Sequence, residues 1–300
     1  MLLNVVKSTV LVALTSCVLN AGEFNAQAEK DRIALVDYTI AKFKDADKNR
    51  DKFFPYSTDS ELKTNIKKGV TFDELRMGNY AFSIQGQYSY NEINEMPPYD
   101  ELVDQGADIY NNNEALQKCF PDVTIGGNYP YFDEKRKEVV SLTGAINECL
   151  TNAGQKAWNE KKGDMALFEA YIASETKNAE KKVDIKISSA DAAAAYERGK
   201  EYYYTQRGYL KLSCATCHVQ GAGKRVRNES LSQLPGQITH FPVYRLKWGN
   251  LGTLERRMEG CIKDQGQVPP KTNSKEMKEL LYFMAYMSNE MSVDGPDVRK

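Results

Sequence analysis

The residues best equipped for chemistry are Cys214-Ala215-Thr216-Cys217-His218. They read C-x-x-C-H, the attachment sequence of a c-type haem. The two thiols are spaced to add across the haem vinyl groups, and the next residue offers an imidazole to the iron. A zinc site would want a second Cys/His pair at knuckle spacing, and the sequence has none. A redox dithiol of the thioredoxin kind would want a βαβ pattern around it, whereas the flanking periodicity is helical.

A second ligand for the iron has to come from elsewhere in the chain. Of the six cysteines, Cys17 lies in a leader-like segment and two belong to the motif. Cys119, Cys149 and Cys261 remain, an odd number that leaves one thiol free, modified or bound to metal. Residue types alone allow three pairings. Downstream of the motif, Cys261, His240, Met258, Met277, Met284, Met287 and Met291 could each reach the sixth position. A thiolate there would lower the potential and hold a reactive sulfur in a fixed place. Arg257 stands four residues before Cys261, on the same helical face. A guanidinium beside a sulfur would draw in a small oxyanion and orient it through two donors. Arg256 and Glu259 point elsewhere and read as solvated. Lys224, Arg225 and Arg227 either add positive potential near the motif or form a solvated face.

The elements that must position these groups are helices. Ser188-Ser189-Ala190-Asp191 looks like a capped helix start, with the acidic residue able to reach back. Ala192, Ala195, Tyr196, Gly199 and Tyr203 then share one face. Leu254 to Cys261 has helical spacing. Ser274 caps a last helix bearing Leu280, Phe283, Ala285, Tyr286 and Met287. A helix before the motif and one at the end are expected to cross, as in a small cytochrome c domain.

The order of landmarks repeats upstream. Gly106 lies thirteen residues before Cys119, and Gly199 fifteen before Cys214. Leu142 precedes Cys149 by seven, as Leu254 precedes Cys261. Phe168, Ala170 and Tyr171 repeat Phe283, Ala285 and Tyr286. Cys119 is followed by Phe120-Pro121-Asp122-Val123, so the second Cys and the His are missing. The expectation is a mainly α chain of two cytochrome c-like domains in tandem, the first lacking haem. A Cys119–Cys149 disulfide would fill the vacated place. Boundaries fall at 29–174 for the first domain, 175–187 for a charged linker and 188–300 for the haem domain. Ile33, Val36, Ile40 and Phe43 predict an earlier helix. Thr71 to Tyr90 reads as loop or short strands whose aromatics belong to the core.

A formal net charge of −1 argues against nucleic acid as the main partner. Lys7, the apolar run from Thr9 to Leu19, and Ala26-Gln27-Ala28 read as an export signal over 1–28. Leu14-Thr15-Ser16-Cys17 is a rival lipobox-like site. No stretch is apolar for long enough to span a bilayer. Export agrees with c-type attachment and with a disulfide, both of which belong outside the cytoplasm.

Several blocks then carry a family resemblance: Cys214 to Gln220, Gly223-Lys224-Arg225, Thr239 to Arg245, Arg257-Met258-Glu259-Gly260-Cys261, and Tyr286-Met287-Ser288-Asn289. In this order they resemble SoxA, the larger cytochrome subunit of SoxAX in bacterial sulfur oxidation. The cysteine pattern resembles the monohaem form, with a disulfide in the N-terminal domain. The resemblance implies one covalent haem c on Cys214, Cys217 and His218, with Cys261 as the opposite ligand, modified to a persulfide. It implies that Arg257 holds thiosulfate and that thiosulfate is joined oxidatively to a cysteine of a SoxYZ-like carrier. The two electrons would pass to a SoxX-like cytochrome in the periplasm. An electron-transfer cytochrome without bond-making, and a thiosulfate dehydrogenase, are the competing expectations.

Overall fold

The computed structural model describes residues 21–226 and 229–299. Its helices are α1 (Ala26–Lys44), α2 (Ile84–Glu95), α3 (Asp100–Asn111), α4 (Glu114–Cys119), α5 (Leu142–Asn152), α6 (Asp164–Asn178), α7 (Ala190–Tyr204), α8 (Leu254–Asp264) and α9 (Lys275–Tyr286), with some shorter turns between them. Strands are short. β1 (Tyr131–Asp133) pairs with β2 (Glu138–Val140), and β3 (Val243–Arg245) lies between antiparallel β4 (Asn250–Gly252) and parallel β5 (Asp297–Arg299).

Two helix crossings organise the chain, one in each half. α3 packs on α6, and α7 packs on α9. Each crossing needs a glycine for steric reasons. A Cβ on Gly106 would stand 2.1 Å from the Leu167 carbonyl oxygen, and one on Gly199 would stand 2.0 Å from that of Glu279. Only a bare Cα lets the backbones approach so closely, which outweighs the roughly 1 kcal/mol that glycine costs inside a helix. The crossings also correct the register of the repeat. The Tyr171 Cβ faces Gly106 as the Phe283 Cβ faces Gly199. Tyr171 therefore matches Phe283 rather than Tyr286, one helical turn away. Apolar residues recur every three or four positions on a helix, so neighbouring turns give nearly the same pattern.

The haem-motif half closes around aromatic rings. Tyr196 and Tyr203 on α7 meet Phe283 on α9 with centroids 5.3 and 5.4 Å apart. Ser189 and Ser274 cap α7 and α9, accepting from Ala192 N at 3.1 Å and Met277 N at 3.3 Å. Asp191 turns away from its own cap and pairs with Lys137 at 3.1 Å. In the first half Cys119 and Cys149 form a disulfide, tying α4 to α5 with Cα atoms 6.2 Å apart.

α1 forms as its spacing predicts, but its buried stripe is Arg32, Leu35, Val36, Thr39, Lys42 and Phe43, and Ile33 is 48% exposed. The face is rotated because two basic side chains find partners inside. Arg32 bonds Glu29, and Lys42 donates to backbone carbonyls near the haem motif. The A-x-A site lies in the first turn of this helix, with Ala28 buried. Of the expected leader, Ala21–Phe24 is a short helix, while residues 1–20, Cys17 among them, lie outside the described residues. Thr71 to Tyr90 contains no strand; Asp73–Phe82 is two short helical stretches that meet at a kink at Gly78, followed by α2. Its aromatics are core, with Tyr80, Phe82 and Tyr90 buried.

Residues 175–187 begin as the end of α6 and continue as an extended strap. Val183 bonds Met291 and Asp184 bonds Gly127, each at 2.9 Å, and Ile185 and Ile187 are buried.

Candidate functional site

The C-x-x-C-H stretch starts as a helical turn and widens over Thr216–Gln220, closed by Gly221 N donating to Thr216 O at 3.0 Å. Such wide turns recur at functional positions because they rotate a side chain out of helical register. Nδ1 of His218 lies 2.9 Å from the Ser232 carbonyl oxygen. That acceptor fixes the tautomer with hydrogen on Nδ1 and leaves Nε2 free as a donor to metal. Burial pushes the imidazole pKa down to about 4, with Arg257 adding to the shift. The ring is neutral at pH 7, as a ligand must be.

Three thiols converge here. Cys214 is buried, and Cys217 and Cys261 are half-buried. Burial pushes the Cys214 thiol up to about 12, and the next contribution comes from Cys261. Cys217 is raised by burial and then by Cys261. Tyr203, fully buried below them, feels the charge of all three sulfurs, and its hydroxyl donates to Gln237 at 3.1 Å.

Cys261 and Arg257 reach this place on α8. Thr253, immediately after β4, caps that helix by accepting from Arg256 N at 3.4 Å. Met258 and Ile262 bury its core face, leaving Arg257 and Cys261 half-buried on another. Among the described residues Arg257 has no ion-pair or hydrogen-bond partner for its guanidinium. Its charge bears on both His218 and His240. An unpaired, half-buried guanidinium one helical turn from a thiol is equipped to take a small anion.

The other sequence candidates separate clearly. Arg256 stacks on Trp248 at 4.1 Å, and Glu259 pairs with Lys161 and Lys263. Met277, Met284 and Met287 belong to the main core, and Met291 to the cluster under α1. His240 is buried against Phe241, its ring stacked at 5.0 Å and, among the described residues, its Nδ1 without a hydrogen-bond partner. Lys224 and Arg225 are exposed, and Arg227 lies outside the described residues. Two contributors carried no sequence signal. Ser232 acts through its carbonyl, which any residue type would supply, and Lys42 comes from a distant helix.

The donor set suits haem c. Two thiols and an oriented, neutral imidazole sit on one short turn, with a further sulfur nearby on α8.

Comparisons with known proteins give the family. The family model described as SoxA/TsdA, cytochrome c domain, matches residues 105–180 and 198–293. The chain is 42% identical over 237 residues to the L-cysteine S-thiosulfotransferase subunit SoxA of Chlorobaculum thiosulfatiphilum, covering 77% of this chain and 82% of that one. It is 37% identical over 236 residues to the subunit of the same name from Allochromatium vinosum, covering 77% and 84%. The crystal structure of SoxXA from P. pantotrophus superposes with a TM-score of 0.64 at 31% identity, over 71% of this chain and 84% of the other. With two cytochrome c segments, the haem-attachment motif and this degree of identity along most of its length, the chain belongs to the SoxA family.

Proposed function

We propose that this chain is the SoxA-type subunit of an L-cysteine S-thiosulfotransferase. It joins thiosulfate to a cysteine of a SoxYZ-like carrier and works with a SoxX-like cytochrome in the periplasm. In the overall reaction the carrier thiol gives up its proton, a sulfur–sulfur bond forms to the outer sulfur of thiosulfate, and two electrons leave. The product is the carrier S-thiosulfonate.

One haem c would be held by Cys214, Cys217, His218 and Cys261. When bound it supplies an electron acceptor and a route to the partner cytochrome. This chain's residues do the rest. Ser232 holds the imidazole proton at Nδ1. Arg257 receives the thiosulfate anion through its fork of N–H donors and presents it to Cys261, whose sulfur, carried as a persulfide, is the working atom. The first domain lacks the second Cys and the His, so its disulfide makes it structural.

The observation that carries this reading is the unpaired Arg257 one turn before Cys261, beside the haem-attachment cysteines. The test is turnover with partner cytochrome, thiosulfate, carrier and an electron acceptor. The native protein is expected to put a thiosulfate adduct on the carrier, and Cys261→Ser to lose it. Acceptor reduction without a carrier adduct would instead indicate a thiosulfate dehydrogenase. Adduct formation by the variant at the native rate would leave only an electron-transfer cytochrome.

A further inference from the structure

A cavity of about 90 Å³ lies between the two domains, lined by Leu142, Ile172, Phe241 and Leu281 among others, and by two carboxylic acids, Glu169 and Glu255. Glu169 comes from α6 of the first domain and is 7% exposed. Among the described residues it has no hydrogen-bond or ion-pair partner. Glu255 stands in the first turn of α8, two residues before Arg257 and six before Cys261, and is 4% exposed. It accepts from Thr143 Oγ1, on α5, at 2.7 Å.

Two buried carboxylates without a cation are costly when both are charged. Among the described residues no basic side chain lines this cavity. The other polar groups around the pair are Thr143, which donates to Glu255, Tyr129, Ser141 and Thr239 in the cavity lining, Thr253 at the helix cap, and Glu160, whose charge opposes ionisation. Burial, then the partner carboxylate, raises Glu169 well above the usual range. Burial raises Glu255 to about 7. Two like acids lining one small cavity relieve their repulsion when a proton is held between them.

The surroundings tie this pair to α8. Thr253, the helix cap, donates to the Glu160 carbonyl at 2.7 Å, its amide donates to Lys161 O at 3.3 Å, and Lys161 pairs with Glu259. The start of the helix bearing Arg257 and Cys261 is thus gripped by the domain that has no haem motif.

We propose that Glu255 is a positioning residue: it shares a proton with Glu169 in the interdomain cavity, docks α8 on the first domain, and so sets the place of Arg257 and Cys261. The positioning part rests on the functional reading above.

The experiment compares the haem-loaded native protein with Glu255→Gln, Glu255→Ala and the Glu169→Gln/Glu255→Gln double variant. Urea unfolding from pH 5 to 8.5 reads the proton. A raised carboxyl pKa means the folded state holds a proton that the unfolded chain releases. Its stability is fully present below the unfolded value near 4.5 and is lost as pH rises through about 7. Relative to the double variant, the native folding constant is expected to fall about tenfold per pH unit in that window. Thiosulfate kinetics and the visible haem spectrum read the positioning. Glu255→Ala is expected to raise KM and shift the spectrum, and Glu255→Gln, which copies the neutral acid, to restore both. Parallel pH curves for native and double variant would overturn proton sharing. Stabilisation of the native protein by added Ca²⁺, lost in the double variant, would show a cation site instead. Native KM and spectrum in Glu255→Ala would overturn positioning. The unfolding arm is independent of turnover, so if Cys261→Ser still formed adduct, the functional reading would fall while the pH curves still decided the pair.

Discussion

Lys42 Nζ donates to the Gln220 carbonyl oxygen at 2.9 Å, across 178 residues of sequence. A second bond reaches Val219 O at 3.3 Å. The ammonium closes the C-terminal end of the turn that carries His218, where carbonyls lack helical partners. α1 therefore braces the C-x-x-C-H turn, although it lies outside both segments matched by the cytochrome c family model.

Replacing this side chain gives the first prediction. Lys42→Met keeps an apolar side chain of similar length in a buried place but orphans two carbonyls, so a loss of about 1–3 kcal/mol is expected in urea unfolding. Its pH dependence has a definite sign. Burial, then Lys224, lowers the ammonium pKa from 10.5 to about 8. Between those values the unfolded chain holds more protons, so this group's contribution to stability rises with pH. The native protein should gain on the variant between pH 8 and 10; a constant difference would show that Lys42 does not titrate in this window.

The glycine crossings give a second. Gly199→Ala would gain about 1 kcal/mol of helix propensity but drive a methyl to 2.0 Å from the Glu279 carbonyl oxygen. Overpacking of this kind costs typically 1–3 kcal/mol and more where backbone must move, so net destabilisation is expected. Gly106→Ala should behave alike at the other crossing. A thermal melt unchanged or raised in either variant would refute the close approach.

These crossings also mark where sequence was legible. Gly199, Tyr203, Phe283 and the serine caps were readable because local period and cap chemistry dictate them. The register of the repeat was off by one turn because periodicity cannot distinguish adjacent turns. The buried face of α1 is legible only in part: Val36 and Phe43 are buried as their spacing predicts, but Arg32 and Lys42 join them through distant partners, Glu290 and Gln220, which no local pattern encodes. Cys214, Cys217 and His218 were visible as a motif, and Arg257 with Cys261 as a helical pair. Ser232, Glu169 and Glu255 were not, since a backbone carbonyl has no sequence signature and a buried acid looks like any surface glutamate.

The disulfide gives a third prediction. Cys119 and Cys149 are 30 residues apart, a loop whose closure contributes about 3–4 kcal/mol on a chain-entropy estimate. Cys119→Ser/Cys149→Ser should lower the urea midpoint accordingly while leaving the haem spectrum unchanged, because neither residue belongs to the haem-motif half. Loss of haem incorporation in this variant would mean that the first domain is needed to build the second.

Arg257 separates charge from geometry. Arg257→Ala removes a charged donor to the anion, worth about 1.5–3 kcal/mol, and should lower kcat/KM for thiosulfate roughly 10- to 100-fold. Arg257→Lys keeps the charge but loses the planar fork, so it should recover only part of that loss. The haem spectrum should stay native in both, since the guanidinium stands a full turn from Cys261 and, among the described residues, has no partner to orphan. If thiosulfate only needed a positive field, Lys would restore full activity and raising the ionic strength would weaken both proteins equally. If Ala turned over thiosulfate as the native protein does, the anion site would lie elsewhere on the haem face.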